Sequence, residues 1–436
     1  MVTTRPNLLI IHWHDVGRRL GTYGEPGVDT PNLDRLAAEG VRFDRAYSAA
    51  SFCSPARGAL FTGRYPHANG LLGPATRGWS LHDGEPRLPV LLRDAGYRSV
   101  LVGAQAESDD PLKLGFDEVA AVTNIGGPRS EESGSGQIAD AALAWLDEHA
   151  DGDRPFLMSL GFLEARRPWP AAHYPPQTTD HVRVPEDLPD NPWVRDDLAV
   201  FAALVTAADR ETGRVLDRLE TLGLAGSTWV VFTTDHGPPF PRSAGTLYDT
   251  GVGAALIMRF PEGWPRPGGA DERLISHVDL VPTILNRLGA DLPQGLHGVS
   301  HLRWLLGDER APRRREIFAE NTFGDVYDPM RTVRTARWKY IRGYEPRPEL
   351  VLPADVERAP MRYGFGDDHL RPRPLDELYD LADDPLERDN LADDPSCAAI
   401  RADLAGRMLR WRQRSGDPLL HGRIAARPVP RHTVWE

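Results

Sequence analysis

Cys53, Pro55 and Arg57 stand in fixed order in Ser51-Phe52-Cys53-Ser54-Pro55-Ala56-Arg57-Gly58-Ala59-Leu60-Phe61-Thr62-Gly63-Arg64. A proline two residues after the cysteine has its φ preset for the first turn of a helix. The thiol is therefore expected at a helix N-terminus, where unpaired N–H groups favour an anion. Arg57 falls one turn further on and can point back toward Cys53. Two other pairs, His14-Asp15 and Asp235-His236, offer metal ligands, and each follows an apolar run. Either pair alone is commonplace, and buried histidines often do no more than satisfy backbone groups. Both together, beside a nucleophile, would hold a divalent ion that binds the reacting group at position 53, lowers its pKa and neutralises charge on a substrate oxyanion. Two imidazoles, His14 and His236, shift the preference from Ca²⁺ toward Mn²⁺ or Zn²⁺.

The elements that must carry these groups follow from apolar periodicity. Residues 7–13 form a continuous apolar run, which suits a buried parallel strand. Polar residues at the C-terminal end of such a strand are where open α/β sheets place ligands. Thr30-Pro31 reads as the start of a helix closed by Gly40, and residues 41–47 should return to the sheet. The pattern then predicts helices over 88–95, 137–146, 196–222 and 280–288, and strands over 98–102, 156–161, 228–234 and 274–278. Alternation of this kind specifies an α/β fold, a large mostly parallel sheet sandwiched by helices. The proline-rich stretch 168–192 reads as a surface excursion rimming the site. Near Glu316 the character changes, with 331–342 alternating as one antiparallel strand and Leu378-Tyr379-Asp380-Leu381 as another. The expected organisation is a catalytic α/β domain over 1–315 and a C-terminal α+β subdomain over 316–436, with a small antiparallel sheet and a terminal helix.

Composition narrows the classes. A 436-residue chain, 41% apolar and 26% charged, can bury a large core, and a net charge of -12 argues against nucleic acid or an acidic membrane as partner. Two cysteines, Cys53 and Cys397, do not make a disulfide framework. The N-terminus runs into a strand without a signal-peptide apolar region, and no apolar run approaches ~18 residues, so the expected location is the cytoplasm.

Cys53-Ser54-Pro55-Ala56-Arg57 followed by Leu60-Phe61-Thr62-Gly63-Arg64-Tyr65-Pro66-His67 resembles the signature of the sulfatase family, within the alkaline phosphatase superfamily. Around Thr234 to Gly251 the chain is similar to the N-sulfoglucosamine sulfohydrolase branch and bacterial relatives. The resemblance implies that Cys53 is oxidised to formylglycine by a formylglycine-generating enzyme, that the hydrated aldehyde supplies the nucleophile, and that Arg57 supports it. It also implies one divalent ion, Ca²⁺ by family, at His14, Asp15, Cys53, Asp235 and His236. The implied substrate is a small anionic one, a sulfated sugar or an aryl or alkyl sulfate. The chain departs from the family at several positions. Gly103-Ala104-Gln105-Ala106 lacks the usual lysine and histidine, Ala165-Arg166 replaces Pro-His, and Ala244 stands where a basic residue is expected, with Arg242 nearby. Arg166 and Arg242 are candidates to clamp the substrate anion bidentately. A guanidinium cannot serve as an acid, so the proton would come from His67, or from His82 or His173. Three functions are open at this point: a sulfate ester or sulfamate hydrolase, a phosphodiester or phosphonate monoester hydrolase suggested by Asp235-His236-Gly237, and a catalytically silent binding protein.

Overall fold

Asn7–Trp13 is buried from Leu8 onward because a parallel strand lies on each side of it, Phe156–Phe162 and Thr228–Thr234. The computed structural model describes residues 5–124, 134–169, 174, 176, 182–264 and 268–428. Strand alternation sends Leu9, Ile11 and Trp13 into one layer, against helices Pro31–Glu39, Ser135–His149 and Pro192–Thr221. Leu8 and Ile10 enter the opposite layer, with Leu60 and Phe61 of the helix Cys53–Thr62 and with Leu88–Asp94 and Leu280–Leu288. His12 shares the face of this second layer and so lies on the side of the Cys53 helix.

The eight-stranded sheet runs in the order Gly269–Asp271, Val41–Phe43, Leu256–Arg259, Thr228–Thr234, Asn7–Trp13, Phe156–Phe162, Arg98–Gln105, Glu118–Asn124. Leu256–Arg259 is antiparallel to both neighbours and the other pairings are parallel. A mostly parallel sheet covered by helices on both faces is thus the architecture that the periodicity predicts.

The boundaries differ from expectation where local polar groups intervene. Residues 41–47 divide at Asp44-Arg45 into Val41–Phe43, in the large sheet, and Ala46–Tyr47, in a small sheet with Gly253–Ala254 and Ile275–Ser276. The strand expected over 274–278 is cut to Ile275–Ser276, because a Ser276–Asp279 capping box turns the chain into His277–Asp279 and then the helix Leu280–Leu288. The single strand expected over 331–342 is a hairpin, Tyr327–Thr335 and Trp338–Gly343, whose turn is closed by the Trp338 N–H donating to Thr335 Oγ1 at 2.9 Å.

With Glu316–Phe323 and Asp376–Asp380 this hairpin makes a four-stranded antiparallel sheet, followed by the helix Ala398–Ser415. Phe318, Val333, Tyr340, Leu378, Met408 and Trp411 form its core, and Ala49, Ala59, Tyr65 and Val278 of the large unit join the same cluster. Most of the proline-rich excursion, with His173, lies outside the described residues. No described helix is long and apolar enough to cross a membrane.

Candidate active site

Two in-register strands deliver the ligand types side by side. Trp13 pairs with Thr234, so Asp15 and Asp235 both lie just past the sheet edge. The Asp235 N–H donates to the Trp13 carbonyl at 3.1 Å, and Asp235 Oδ1 accepts from the N–H groups of Asp15 and His236 at 3.0 and 2.8 Å. Asp15 holds a left-handed φ of 56°, a conformation that costs of order 1 kcal/mol and clusters at functional sites. Gly237 is required by close approach, since a Cβ there would meet the Thr250 carbonyl oxygen at 1.9 Å.

Cys53 is the first residue of its helix, with Phe52 extended before it and Pro55 in the first turn. Gly63, at φ 68°, closes the far end by donating its N–H to the Ala59 carbonyl at 3.0 Å. The thiol meets the strand tips directly: Cys53 Sγ lies 3.4 Å from Asp15 Oδ1 and 3.2 Å from His236 Nε2. Arg166 donates to the same sulfur at 3.4 Å, and its guanidinium is 3.9 Å from Asp15 Oδ2. Burial, reinforced by the carboxylates of Asp15 and Asp235, pushes the Cys53 thiol well above its ordinary pKa, against the opposing pull of Arg166. An unmodified thiol here is a poor nucleophile at neutral pH.

Asp15, Cys53, Asp235 and His236 present ligand atoms that all lie within 4.8 Å of one another. His236 Nδ1 is 2.9 Å from its Gly237 carbonyl partner, which assigns the proton of the neutral ring to Nδ1 and leaves Nε2 with a lone pair facing Cys53. Asp235 Oδ2 and His14 Nδ1, both buried, are paired with each other at 2.9 Å. Despite burial, His236 and His14 hold the Asp235 carboxyl well below its usual range. Two carboxylates and an imidazole, beside the Cys53 sulfur, form a donor set that fits a divalent cation.

The other expected residues are placed differently. Arg57, fully buried, pairs with Glu107 through Nε at 2.8 Å, and its guanidinium lies 2.7 Å from His12 Nδ1 and 3.0 Å from His14 Nε2. It thereby props the back of the strand tip and makes no hydrogen bond to Cys53. Burial, with Arg57 beside them, keeps both His12 and His14 below the ordinary imidazole pKa. Arg242 donates to the Leu386 and Glu387 carbonyls at 3.1 and 2.8 Å, and its guanidinium lies over the Tyr248 ring. His67 is paired with Glu320 at 2.9 Å, among Tyr65 and Trp411, in a separate buried cluster.

Glu107 and Asp355 are residues that spacing did not reveal. A buried helical arginine requires a carboxylate, and the loop after the Arg98–Gln105 strand supplies Glu107. Asp355, in the short helix Ala354–Glu357, is close enough to Asp15 and Arg166 to sense both charges; burial and Asp15 raise its pKa while Arg166 opposes.

A covered, mostly parallel sheet with the Cys53 helix N-terminus and a carboxylate–imidazole cluster at adjoining strand tips is an architecture of the alkaline phosphatase-like type. Residues 6–290 match the family described as Sulfatase, and residues 244–363 match N-sulphoglucosamine sulphohydrolase, C-terminal. The chain belongs to the sulfatase family. It is 28% identical to an ulvan-active sulfatase of Formosa agariphila, over 95% of this chain and 76% of that one. It is 27% identical to human N-sulphoglucosamine sulphohydrolase, over 94% of this chain and 91% of that one. Among solved structures, the phosphonate monoester hydrolase of Agrobacterium radiobacter shares the fold with a TM-score of 0.72 at 22% identity, covering 96% of this chain and 97% of that one.

Proposed function

We propose that this protein hydrolyses a sulfate ester or sulfamate on a saccharide, with position 53, oxidised to formylglycine, as the reacting group. The observation that carries the reading is the placement of Cys53 at a buried helix N-terminus, within 3.4 Å of Asp15 and 3.2 Å of His236. Asp15, Asp235 and His236 would hold the divalent ion, with His14 Nδ1 beside Asp235, and a bound ion there would supply Lewis-acid stabilisation of developing negative charge. Arg166, about a quarter exposed, faces the solvent side of Cys53, where its fork can clamp the non-bridging oxygens of the substrate. Arg57 keeps the His12 and His14 rings fixed and neutral behind the ligands. The saccharide is favoured because the two curated relatives named above act on ulvan or N-sulphoglucosamine.

Mass spectrometry of the Cys53 peptide after co-expression with the modifying enzyme tests this directly. The expected result is the aldehyde together with turnover of a sulfated sugar or aryl sulfate; unmodified thiol and no sulfate release would end the proposal. A second reading, phosphonate monoester or phosphodiester hydrolysis, is favoured by Asp235-His236-Gly237 and by Gly103-Ala104-Gln105-Ala106, which offers no lysine to a sulfate. Relative kcat/KM on matched aryl sulfate, phosphonate and phosphodiester substrates separates the two.

A further inference from the structure

The Cys53 helix has ten residues and spans about 15 Å, and a cavity of about 690 Å³ opens beyond its far end. Its walls include Tyr65, His297, Arg313, Arg315, Trp411 and Arg414. A second cavity of about 750 Å³ is lined by the same Arg313-Arg314-Arg315 segment and by Arg337 and Arg407. Several of its guanidinium groups are neutralised: Arg314 by Asp279 at 2.8 Å through Nε, Arg407 by Glu316 at 3.0 Å and Asp403 at 2.8 Å, and Arg337 by Asp380 at 2.8 Å through Nε.

Arg313, Arg315 and Arg414 are different. All three are exposed, and among the described residues none has a carboxylate within ion-pair distance. Acidic residues outnumber basic ones 63 to 51 in this chain, so free arginines gathered on one concave surface are a local positive field on a negative molecule. Guanidinium forks match the oxygens of a sulfate group.

We infer that the cavity carrying Arg313, Arg315 and Arg414 is a second binding site, for a sulfated oligosaccharide, distinct from the site at Cys53. The identity of the ligand rests on the saccharide reading above; the presence of a polyanion site does not. A nucleic acid is the competing polyanion; the saccharide is favoured because the chain belongs to the sulfatase family.

Binding is measured by calorimetry on full-length Cys53→Ala protein, which cannot turn over, with a heparin-derived hexasaccharide, its desulfated counterpart, inorganic sulfate and a single-stranded oligonucleotide. The hexasaccharide is expected to bind with a salt-dependent Kd that weakens at least tenfold in Arg313→Ala/Arg315→Ala/Arg414→Ala, while Arg→Lys at the same positions retains part of the affinity. The three side chains are exposed, so the melting temperature of the triple variant should stay within a few degrees of its parent. Equal hexasaccharide affinity in the triple variant, equal affinity for the desulfated sugar, saturation by inorganic sulfate alone, or tighter binding of the oligonucleotide would each overturn the inference. Failure of the saccharide reading looks different: arginine-dependent hexasaccharide binding would persist, but the unsubstituted, modified enzyme would release no sulfate from any saccharide or aryl ester.

Discussion

Two buried histidine–carboxylate centres flank the Cys53 helix, and they are built to opposite ends. At His67, the Glu320 carboxylate lies 2.9 Å from the ring and 3.2 Å from Arg331, Arg331 is 2.9 Å from Asp417, and Asp417 is 2.8 Å from Arg412. Anions and cations alternate, so the charge closes on itself and ties the large sheet to the C-terminal one. At the strand tips, Asp15 and Asp235 share the field of one partly exposed arginine, Arg166, and Asp235 Oδ2 is paired with His14 Nδ1 at 2.9 Å. Residue types and burial are nearly the same in both places. What separates a ligand site from a structural strut is uncompensated negative charge beside a reactive side chain.

The widest separation between the two centres should be in turnover. Cys53→Ala is expected to lower kcat on an aryl sulfate by on the order of 10³-fold or more while leaving the melting temperature close to that of the parent. Asp417→Asn should do the reverse. It leaves Arg331 and Arg412 buried without their shared anion, which should cost about 3–5 kcal/mol in urea unfolding with little change in kcat per folded molecule. A large loss of kcat in Asp417→Asn would erase the division drawn here.

How much of this is legible in the chain follows from what spacing can encode. Thr228–Thr234 and Leu280–Leu288 coincide with their apolar runs because burial of a strand or helix face is a local pattern. The convergence of Asp15, Cys53, Asp235 and His236 is legible one level up, since a parallel sheet sends the loops after its strands to one edge. Partner choice is not. Arg57 turns to Glu107 rather than to Cys53, and His67 turns to Glu320, which is 253 residues away in sequence. Arg242 is drawn to the carbonyls of Leu386 and Glu387, which only the C-terminal segment brings near. A charged side chain announces that it needs a partner, and tertiary packing decides which one it gets.

Another histidine, His277, lies outside both centres and sharpens the contrast through pH. Burial drives His277 down to about 4, and its Nε2 lies 3.0 Å from Thr233 Oγ1. Between about pH 6.5 and 4 the unfolded ring carries a proton that the folded ring does not, so acidification through that window removes stability. The loss from this residue is at most roughly 3 kcal/mol, and it should be absent from the pH dependence of unfolding in His277→Gln.

The subtlest effect is a reversal of sign at the strand tips. In chelated protein the Asp15 and Asp235 carboxylates repel across a short gap, and Asp235 Oδ1 accepts the backbone N–H of residue 15 whatever side chain that residue carries. The Asp15→Asn substitution keeps that backbone bond and removes one of the two charges, so the chelated variant should unfold at a temperature a few degrees above the chelated parent, equivalent to about 1 kcal/mol. With a saturating divalent ion the order should invert, because the parent gains stability by binding and the variant has lost an anionic ligand. Melting curves of both proteins, each with chelator and with Ca²⁺, Mn²⁺ or Zn²⁺, give the four values needed for each ion. If the Asp15→Asn protein is the less stable under chelation as well, the negative charge at the strand tips is not in excess, and the two centres are built alike after all.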